Sequence, residues 1–304
     1  MLNVTITPHR EMLPADSAEQ KLFLMLKLQP TKEAAKNRPP TAFTFIIDTS
    51  GSMDEEIADG GKTKREAVIE SLQGLIRQAG LLTQNDRIAI VQFHDKASTL
   101  IGLTPATEVQ QLENISQLRN YSGGTRMGLG LNQALKLLSG KDMASRRALL
   151  FTDGETSDED DCRELIQEFS KNNIPITALG FGNEYNDELL TSFSDTTGGV
   201  PYHVVPHQVA GTAIAIADLP NHILEEFKSA QQEVITNLAM TVRTVKGVRV
   251  TRVARVYPSI AEFPLEPEPY PIGNAAANDE TVFILEFNLD SRIASRIRIT
   301  QLGL

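Results

Sequence analysis

Hydrophobic and polar positions follow two different periods along the middle of the chain, which predicts alternating strands and helices. The run TAFTFII, residues 41–47, is short and almost continuously apolar, as is typical of a strand covered on both faces. Residues 62–79, KTKREAVIESLQGLIRQA, carry their apolar side chains on one helical stripe. RIAIVQF, residues 87–93, predicts a second strand, and STLIGL, residues 98–103, follows closely enough to be its hairpin partner.

The same alternation continues through the next hundred residues. Periodicity predicts four further helices, at 109–118, 127–138, 161–172 and 187–196. Short apolar runs predict three further strands, at 146–154, 174–182 and 200–205. Strands that alternate with helices form right-handed crossovers, which give a mainly parallel central sheet with helices on both faces. We therefore predict an α/β domain over residues 41–217.

The two ends of the chain carry strand-like runs without helical stretches between them. These runs lie at 2–8, 21–29, 234–245, 247–257, 281–287 and 296–302. In the run 247–257 apolar and basic residues alternate, which is the pattern of a sheet with one face in water. Residues 258–280 are rich in Pro and Gly and are predicted to form a loop. A helix is predicted around residues 212–232, with Pro220 early in the helix or at a break.

The flanking strands predict a second domain. A pair of strands at the N-terminus buries too little surface to be stable alone. We therefore predict a small all-β, sandwich-like domain built from both chain ends, with the α/β domain of residues 41–217 inserted in it. Residues 1–40 supply its N-terminal strands, and residues 218–304 supply a connecting helix and its C-terminal strands. The alternative is two separate pieces, in which the strands of residues 1–40 only decorate an edge.

Composition and charge limit the classes of partner. The chain has 304 residues, of which 41% are hydrophobic and 22% are charged, as in ordinary soluble globular proteins. Its formal net charge is −10. Nucleic acids and anionic membrane surfaces attract basic faces, so we expect neither as the main partner.

The cysteine content and the N-terminal sequence bear on the compartment. Cys162 is the only cysteine, so the chain has neither an internal disulfide nor a cysteine-ligated zinc site. Residues 1–20 lack the basic start and apolar core of a signal peptide. No apolar run approaches the roughly 20 residues that span a bilayer. We expect a soluble, cytoplasmic protein with no membrane insertion.

Oxygen-bearing side chains occupy three loops of the predicted α/β domain. Asp48, Ser50 and Ser52 follow the first strand, Thr125 lies in the loop SGGTRMG, and Asp153 follows the strand RRALLFT. In an open parallel sheet, ligands bind beyond the carboxyl ends of the strands. Carboxylates and hydroxyls without His or Cys are hard oxygen donors, which suit Mg²⁺, Mn²⁺ or Ca²⁺. The sequence therefore predicts a divalent-cation site at these loops.

This pattern resembles the von Willebrand factor A domain family with its metal-ion-dependent adhesion site. The family motif is D-x-S-x-S, then a distant Thr in a G-G-T loop, then T-D-G after an apolar strand. Its five positions are filled here by Asp48, Ser50, Ser52, Thr125 and Asp153. The resemblance covers residues 41–217 and implies a Rossmann-like fold. The flanking strands resemble an arrangement in bacterial and inter-alpha-trypsin-inhibitor-like relatives, on strand pattern alone.

The resemblance implies a ligand set and a function. Ser50, Ser52 and Thr125 would contact a roughly octahedral Mg²⁺ directly or through water. Asp48 and Asp153 would act through water or through hydrogen bonds to the ligands, and one position would stay open for an Asp or Glu of a partner protein. The implied function is a non-enzymatic protein-protein interaction module in a multi-protein assembly. For bacterial relatives the implied partners include AAA+ ATPases of the MoxR kind.

Purely structural interpretations stand beside these roles. The Asp and Ser residues of the first loop are also favoured helix caps. Thr125 suits the N-terminus of the helix at 127–138, and Asp153 suits a turn. The acidic run 153–161 is better explained as a solvated loop next to a helix N-terminus than as a second metal site.

Two other functions stay open at the level of sequence. The first is a Mg²⁺-dependent hydrolase or phosphotransferase. A haloacid-dehalogenase-type phosphatase would carry a second Asp where Ser50 stands, and a P-loop would carry the Gly-Lys-Ser/Thr that the Thr125 loop lacks. The second is a scaffold whose metal site is purely structural. We assign no catalytic role to His94, at the end of the second strand, or to Cys162, whose acidic neighbours disfavour a thiolate.

Overall fold

The computed structural model describes the chain as two compact units. One unit contains residues 39–231, and the other joins residues 1–38 to residues 232–304. The described residues are 2–17, 19–36, 39–57, 61–78, 83–109, 118, 123–139, 145–182, 186–207, 213–258 and 260–304. The helix predicted at 109–118 lies almost wholly outside these residues, so that prediction stays open.

Strands and helices alternate in the middle of the chain and strands dominate its ends. The strands are β1 (Leu2–Pro8), β2 (Gln20–Pro30), β3 (Thr41–Asp48), β4 (Arg87–Phe93), β5 (Ala97–Pro105), β6 (Ser145–Thr152), β7 (Ile176–Phe181), β8 (Pro201–Val205), β9 (Ala213–Ala215), β10 (Glu233–Thr244), β11 (Val248–Tyr257), β12 (Ala261–Phe263), β13 (Tyr270–Ala276), β14 (Thr281–Leu289) and β15 (Thr300–Gly303). The helices are α1 (Lys64–Arg77), α2 (Ala106–Val109), α3 (Met127–Leu138), α4 (Glu159–Lys171), α5 (Asp187–Thr197) and α6 (Leu219–Gln232). Within the described part of the chain, none of the helices combines the length and the apolar character needed to cross a membrane.

The unit of residues 39–231 is built on a seven-stranded sheet. Its strand order is β5-β4-β3-β6-β7-β8-β9. Neighbouring strands are parallel except for β5, which pairs antiparallel with β4 as the predicted hairpin. The predicted α/β class with a mainly parallel sheet is therefore confirmed.

Strand β3 shows why the first apolar run is continuous. Phe43, Phe45 and Ile47 pack on one face of the sheet against α1 and α6. Ala42 and Ile46 pack on the other face against α3, α4 and α5. Successive side chains of a strand point to opposite faces, so a strand covered by helices on both faces has apolar residues on both faces, as β3 has apart from its threonines and Asp48.

Helix α6 closes one face of this sheet. It begins later than its predicted span, at Leu219, because β9 adds a parallel edge strand just before it. Pro220 lies in the first turn of the helix, where its missing N–H is not needed. Phe227 stacks on Phe43 of β3 with ring centroids 4.5 Å apart. The helix thus belongs to the hydrophobic core of the α/β unit.

The other unit consists of two antiparallel sheets that share one core. A five-stranded sheet has the order β1-β2-β14-β11-β12, and a three-stranded sheet has the order β13-β10-β15. Both sheets contribute alternate residues to this core: Leu22, Leu24, Leu26, Leu28, Phe283, Leu285 and Phe287 from the first, and Met240, Val242, Tyr270 and Ile272 from the second. The prediction of extra antiparallel strands from both chain ends, packed as a sandwich-like domain, is confirmed.

The prediction of one loop over residues 258–280 is wrong, because this segment contains β12 and β13. Strand β13 lies at the edge of the three-stranded sheet, where Pro271 is tolerated since only one side of the strand pairs. Tyr270 and Ile272 of β13 are buried in the core. Packing against the facing sheet therefore outweighs the turn-forming composition of the segment.

Candidate metal centre

Strands β3 and β6 end side by side in the middle of the sheet. After β3 the chain continues to β4 on one side, whereas β6 pairs with β3 on the other side, so the strand order reverses between them. Ile47 and Phe151 are register partners, which places the residues that follow them next to each other. A crevice at such a switch point is where open α/β sheets bind ligands.

Asp48 is fully buried at this crevice. Its Oδ1 accepts a hydrogen bond from the Ser50 backbone N–H at 2.8 Å, and its Oδ2 accepts one from Thr152 Oγ1 at 2.7 Å. Burial raises the pKa of Asp48 to about 6, although hydrogen bonds from Ser50 and Thr152 act in the opposite direction. The charged carboxylate is therefore incompletely compensated, and a nearby cation would stabilise it.

Hydroxyl groups connect the first loop to Asp153. The hydroxyls of Ser50 and Ser52 lie 3.1 Å apart, and Ser52 Oγ donates to Asp153 Oδ1 at 2.8 Å. Asp153 is 3% exposed. The structure thus joins four of the five predicted residues, Asp48, Ser50, Ser52 and Asp153, in one cluster of adjacent backbone and side-chain contacts.

The loop that carries Thr125 is held by its backbone between two neighbouring loops. The Thr125 carbonyl accepts hydrogen bonds from the Ser157 backbone N–H at 3.0 Å and from Ser157 Oγ at 3.1 Å. On the other side, Gly124 N–H donates to Asp95 Oδ1 at 3.0 Å, and Arg126 N–H donates to the His94 carbonyl at 3.0 Å. Thr125 therefore lies between the turn after β4 and the loop after β6.

Close approach to Asp95 explains the two glycines before Thr125. A Cβ at Gly123 would lie 2.5 Å from Asp95 Oδ2, and one at Gly124 would lie 2.7 Å from Asp95 Oδ1. Because Cβ atoms do not come so near to oxygen, a larger residue at either position would require the exposed Asp95 side chain to move.

The helices next to the cluster obtain their caps from other residues. Thr63 caps α1 in a reciprocal pair with Glu66, in which each side chain accepts the other residue's backbone N–H at 3.1 Å. The first amides of α3 donate to Thr156 Oγ1 at 2.9 Å and to Asp158 Oδ1 at 3.1 Å. The interpretation of the first-loop residues or Thr125 as helix caps is therefore not what the structure shows.

Lys64 is a member of the cluster that sequence reasoning missed. Its Nζ lies 2.6 Å from Asp153 Oδ2, 3.0 Å from Glu55 Oε2 and 3.3 Å from the Ser52 carbonyl. Burial alone would lower the pKa of Lys64, but hydrogen bonds to Asp153 and Glu55 outweigh it and raise the pKa, so the side chain is cationic. Its place in the first turn of a helix, where the macrodipole favours acids, is unfavourable and is compensated by these acidic partners.

Arg65 is buried against the loop that follows β3 and holds it in place. Its side chain is 2% exposed, and its guanidinium lies 2.7 Å from Asp54 Oδ2 and 3.4 Å from the Ser50 carbonyl. It also donates to the Leu118 carbonyl at 3.3 Å. Arg65 thus ties Ser50 and the turn Gly51–Asp54 to the start of α1.

The acidic run after Asp153 is structural in the described part of the chain. Asp158 is buried and caps α3, and the next three acids lie in the first turn of α4, where they complement the macrodipole. Cys162 is buried, and burial together with Asp158 and Asp161 raises the pKa of its thiol. It is therefore not a nucleophile in the folded protein.

The donor set of the cluster fits a hard divalent cation. It offers carboxylate and hydroxyl oxygens and no nitrogen or sulfur ligand, which are the donors that Mg²⁺ and related ions prefer. Across the described ranges, the candidate centre included, no three or more His, Cys, Asp or Glu side chains come together in a group able to hold a metal. The candidate centre instead combines two carboxylates with hydroxyls.

Two bacterial proteins are similar to this chain in sequence. The Synechocystis protein named uncharacterized protein sll0103 is 23% identical over 278 residues, which cover 87% of this chain and 61% of that protein. The Escherichia coli protein named uncharacterized protein YfbK is 24% identical over 196 residues, which cover 62% of this chain and 32% of that protein. The chain thus spans less than two thirds of the length of either relative.

Two solved structures share the fold over 99% of the chain. The von Willebrand factor type A protein from Catenulispora acidiphila has a TM-score of 0.76 at 20% identity, with 68% of that chain covered. The ArnB paralog VWA2 from Sulfolobus acidocaldarius has a TM-score of 0.60 at 16% identity, with 74% of that chain covered. At such identities the likeness establishes the fold of both units.

The family follows from the match of the central domain. The model of the von Willebrand factor type A domain matches residues 43–210, more than half of the chain. Domains of this family are commonly metal-dependent adhesion and protein-interaction modules. The fold of this chain agrees with that match, and so do the crevice at the switch point and the residues of the D-x-S-x-S, Thr and T-D-G motif. The chain therefore belongs to the von Willebrand factor type A domain family.

Proposed function

We propose that Asp48, Ser50, Ser52, Thr125 and Asp153 hold a divalent cation, Mg²⁺ in the first place, through which the chain binds an acidic side chain of a partner protein. The observation that carries this proposal is the continuous set of contacts from Asp48 through the two serines to Asp153. Two buried carboxylates and two hydroxyls from the ends of adjacent strands form a negative, oxygen-lined cluster.

Within this proposal each residue has a distinct task. The hydroxyls of Ser50, Ser52 and Thr125 would hold the cation, and Asp48 and Asp153 would balance its charge while their hydrogen bonds orient Thr152 and Ser52. Neutral hydroxyl ligands leave the cation electrophilic, so it keeps affinity for one further carboxylate. When bound, the cation supplies the charge that draws in the partner's Asp or Glu.

We propose a binding module and not an enzyme. Both oxygens of Asp48 accept hydrogen bonds, and Asp153 accepts one at Oδ1 and contacts Lys64 at Oδ2. Neither carboxylate is therefore placed as a free general base or nucleophile. Ser50 also stands where a phosphatase of the haloacid-dehalogenase type would carry its second Asp. From the family resemblance we further propose that the module works within a multi-protein assembly, with MoxR-type AAA+ ATPases as the candidate partner class. We also propose a cytoplasmic location.

The first test is metal binding by the purified protein. Isothermal titration with Mg²⁺ and Mn²⁺ should show binding by the wild type and a loss of about tenfold or more in affinity for Asp48→Ala. Asp160→Ala is the matched control, because Asp160 is an exposed acid on α4 and should leave the affinity unchanged. Equal affinities of the wild type and Asp48→Ala would contradict the assignment of Asp48 to a metal site.

The second test concerns the partner. The immobilised protein is exposed to lysate of its source organism with Mg²⁺ or with EDTA, beside Asp48→Ala, and the captured proteins are identified by mass spectrometry. The proposal predicts a protein that is retained with Mg²⁺ and lost with EDTA and with the variant. A protein captured equally in all three conditions would favour a scaffold whose metal site is only structural.

A further inference from the structure

A cationic side chain already lies against the candidate metal centre. The ammonium of Lys64 contacts Asp153 Oδ2 at 2.6 Å and the Ser52 carbonyl at 3.3 Å, and thus touches two of the residues assigned to the cation. The Lys64 side chain is 13% exposed and the Asp153 side chain is 0% exposed. The contact is therefore a largely buried ion pair and not a flexible surface contact.

A buried ammonium and a divalent cation at this cluster repel each other. Coulomb repulsion between charges only a few ångströms apart is strong where water is excluded, and Asp153 is one shared counter-charge. The Lys64–Asp153 ion pair thus neutralises a charge that a bound metal ion would otherwise neutralise. Binding of the metal ion has to weaken this ion pair or displace the ammonium.

Lys64 has a second acidic partner outside the buried cluster. Its Nζ also lies 3.0 Å from Glu55 Oε2, and the Glu55 side chain is 66% exposed. The long lysine side chain starts at the first residue of α1, so a change of rotamer is enough to move its ammonium towards Glu55 and water. This outward position offers a counter-charge without requiring the helix to move.

We propose that Lys64 is a built-in competitor of the divalent cation, which occupies Asp153 when the metal is absent and moves towards Glu55 when the metal binds. This inference rests on the metal site proposed above and adds a residue that sets its affinity. Lys64 neutralises Asp153 when the metal is absent, and lowers the affinity for the metal alone. The partner's carboxylate, which adds negative charge, then favours metal and partner binding together.

The test compares metal affinities of charge variants. Titration of Mg²⁺ and Mn²⁺ into Lys64→Met should give a dissociation constant about tenfold or more below that of the wild type, since the competing charge is gone and the side-chain length is kept. Lys64→Arg keeps the charge and should bind no more tightly than the wild type. Lys62→Met is the control: Lys62 lies two residues before Lys64, is exposed and pairs with Glu70. Removing its charge should change the affinity by less than about twofold.

Thermal unfolding supplies a second readout that does not depend on a binding isotherm. Without metal, Lys64→Met leaves Asp153 without its cation and should melt below the wild type. Addition of Mg²⁺ should raise the melting temperature of Lys64→Met by more than that of the wild type. Circular dichroism of each variant before titration shows whether it is folded.

The outcomes separate this inference from the proposed function. Tighter binding by Lys64→Met than by the wild type and Lys64→Arg supports both the competitor role and the metal site. Equal or weaker binding by Lys64→Met overturns the competitor role and leaves the metal site in place. No binding by any variant, with all of them folded, overturns the metal site itself.

Discussion

At the scale of single residues, the buried charge of Asp48 in the candidate centre lowers the stability of the folded protein. Asp48 is a fully buried carboxylate, and burial raises its pKa from 3.8 to about 6 despite two hydrogen bonds. A carboxyl that binds its proton more tightly in the folded than in the unfolded state favours folding below the unfolded pKa. That contribution is lost as the pH rises through the folded value. At neutral pH and without a cation, Asp48 is therefore destabilising.

Asp48→Asn should stabilise the metal-free protein more at pH 8 than at pH 5. Asn keeps both hydrogen bonds, with its carbonyl accepting from Ser50 and its amide donating to Thr152, and removes the buried charge. Relative to the wild type, the free energy of unfolding should rise by about 1.4 kcal/mol between pH 5 and pH 8, because the rest of the pKa shift takes effect below pH 5. Urea unfolding of both proteins in EDTA measures this difference. The same difference at both pH values would show that the charged Asp48 is compensated without metal.

At the scale of elements, close packing of α3 on the sheet places the Thr125 loop. A Cβ at Gly130 would lie 2.7 Å from Phe93 Cδ1 and 3.1 Å from Ile46 Cγ2. Helix α3 therefore approaches β3 and β4 more closely than a helix with an alanine there. Since Thr125 lies just before α3, Gly130 helps to set the distance between the Thr125 loop and the sheet.

Two glycines in helix interiors should respond to alanine in opposite directions. Gly130→Ala should lower the free energy of unfolding by about 1–3 kcal/mol, because its methyl group overpacks a buried contact. Gly74→Ala in α1 is the matched control, since nothing lies within 4 Å of its Cβ position, and it should raise stability by up to about 1 kcal/mol. Urea unfolding of both variants provides the comparison, and a Gly130→Ala protein as stable as Gly74→Ala would contradict the close approach.

At the scale of the whole molecule, the chain has two units with separate cores. The α/β unit buries one cluster on each face of its sheet, and the β unit buries a third between its two sheets. Every residue of the candidate metal centre lies in the α/β unit. Loss of packing in the β unit should therefore leave metal binding intact.

Truncation of one buried phenylalanine in each unit tests this separation. Phe287→Ala in the β unit and Phe151→Ala in the α/β unit remove fully buried rings, and each should cost about 3–5 kcal/mol in the unit that contains it. Only Phe151→Ala, which lies two residues before Asp153, should also weaken Mg²⁺ binding. A comparable loss of affinity in Phe287→Ala would show that the metal centre depends on the β unit.

Local sequence patterns were enough to predict the architecture of the α/β unit. The period of apolar residues is set by whether a segment is a helix or a strand, so β3, β4, α1 and the hairpin strand β5 could be recognised one at a time. Oxygen-bearing residues at strand ends indicated the edge of the sheet where a ligand would bind. The assignment of Thr125 and the other four residues as metal ligands stays a prediction that the titrations above address.

The rest depended on contacts between residues distant in the chain. Composition predicted a loop where β13 forms. That prediction failed because Tyr270 and Ile272 are buried by a facing sheet, which the local sequence does not reveal. The contact of Lys64 with Asp153 joins residues 89 positions apart, and neither periodicity nor a motif indicates such a pair. The sequence by itself determined most strands and helices of the α/β unit and the oxygen-bearing residues at the ends of β3 and β6, since both follow from local residue types. Only the tertiary structure decided which charges meet there, because side chains from separate loops become neighbours only when the strands of the sheet align.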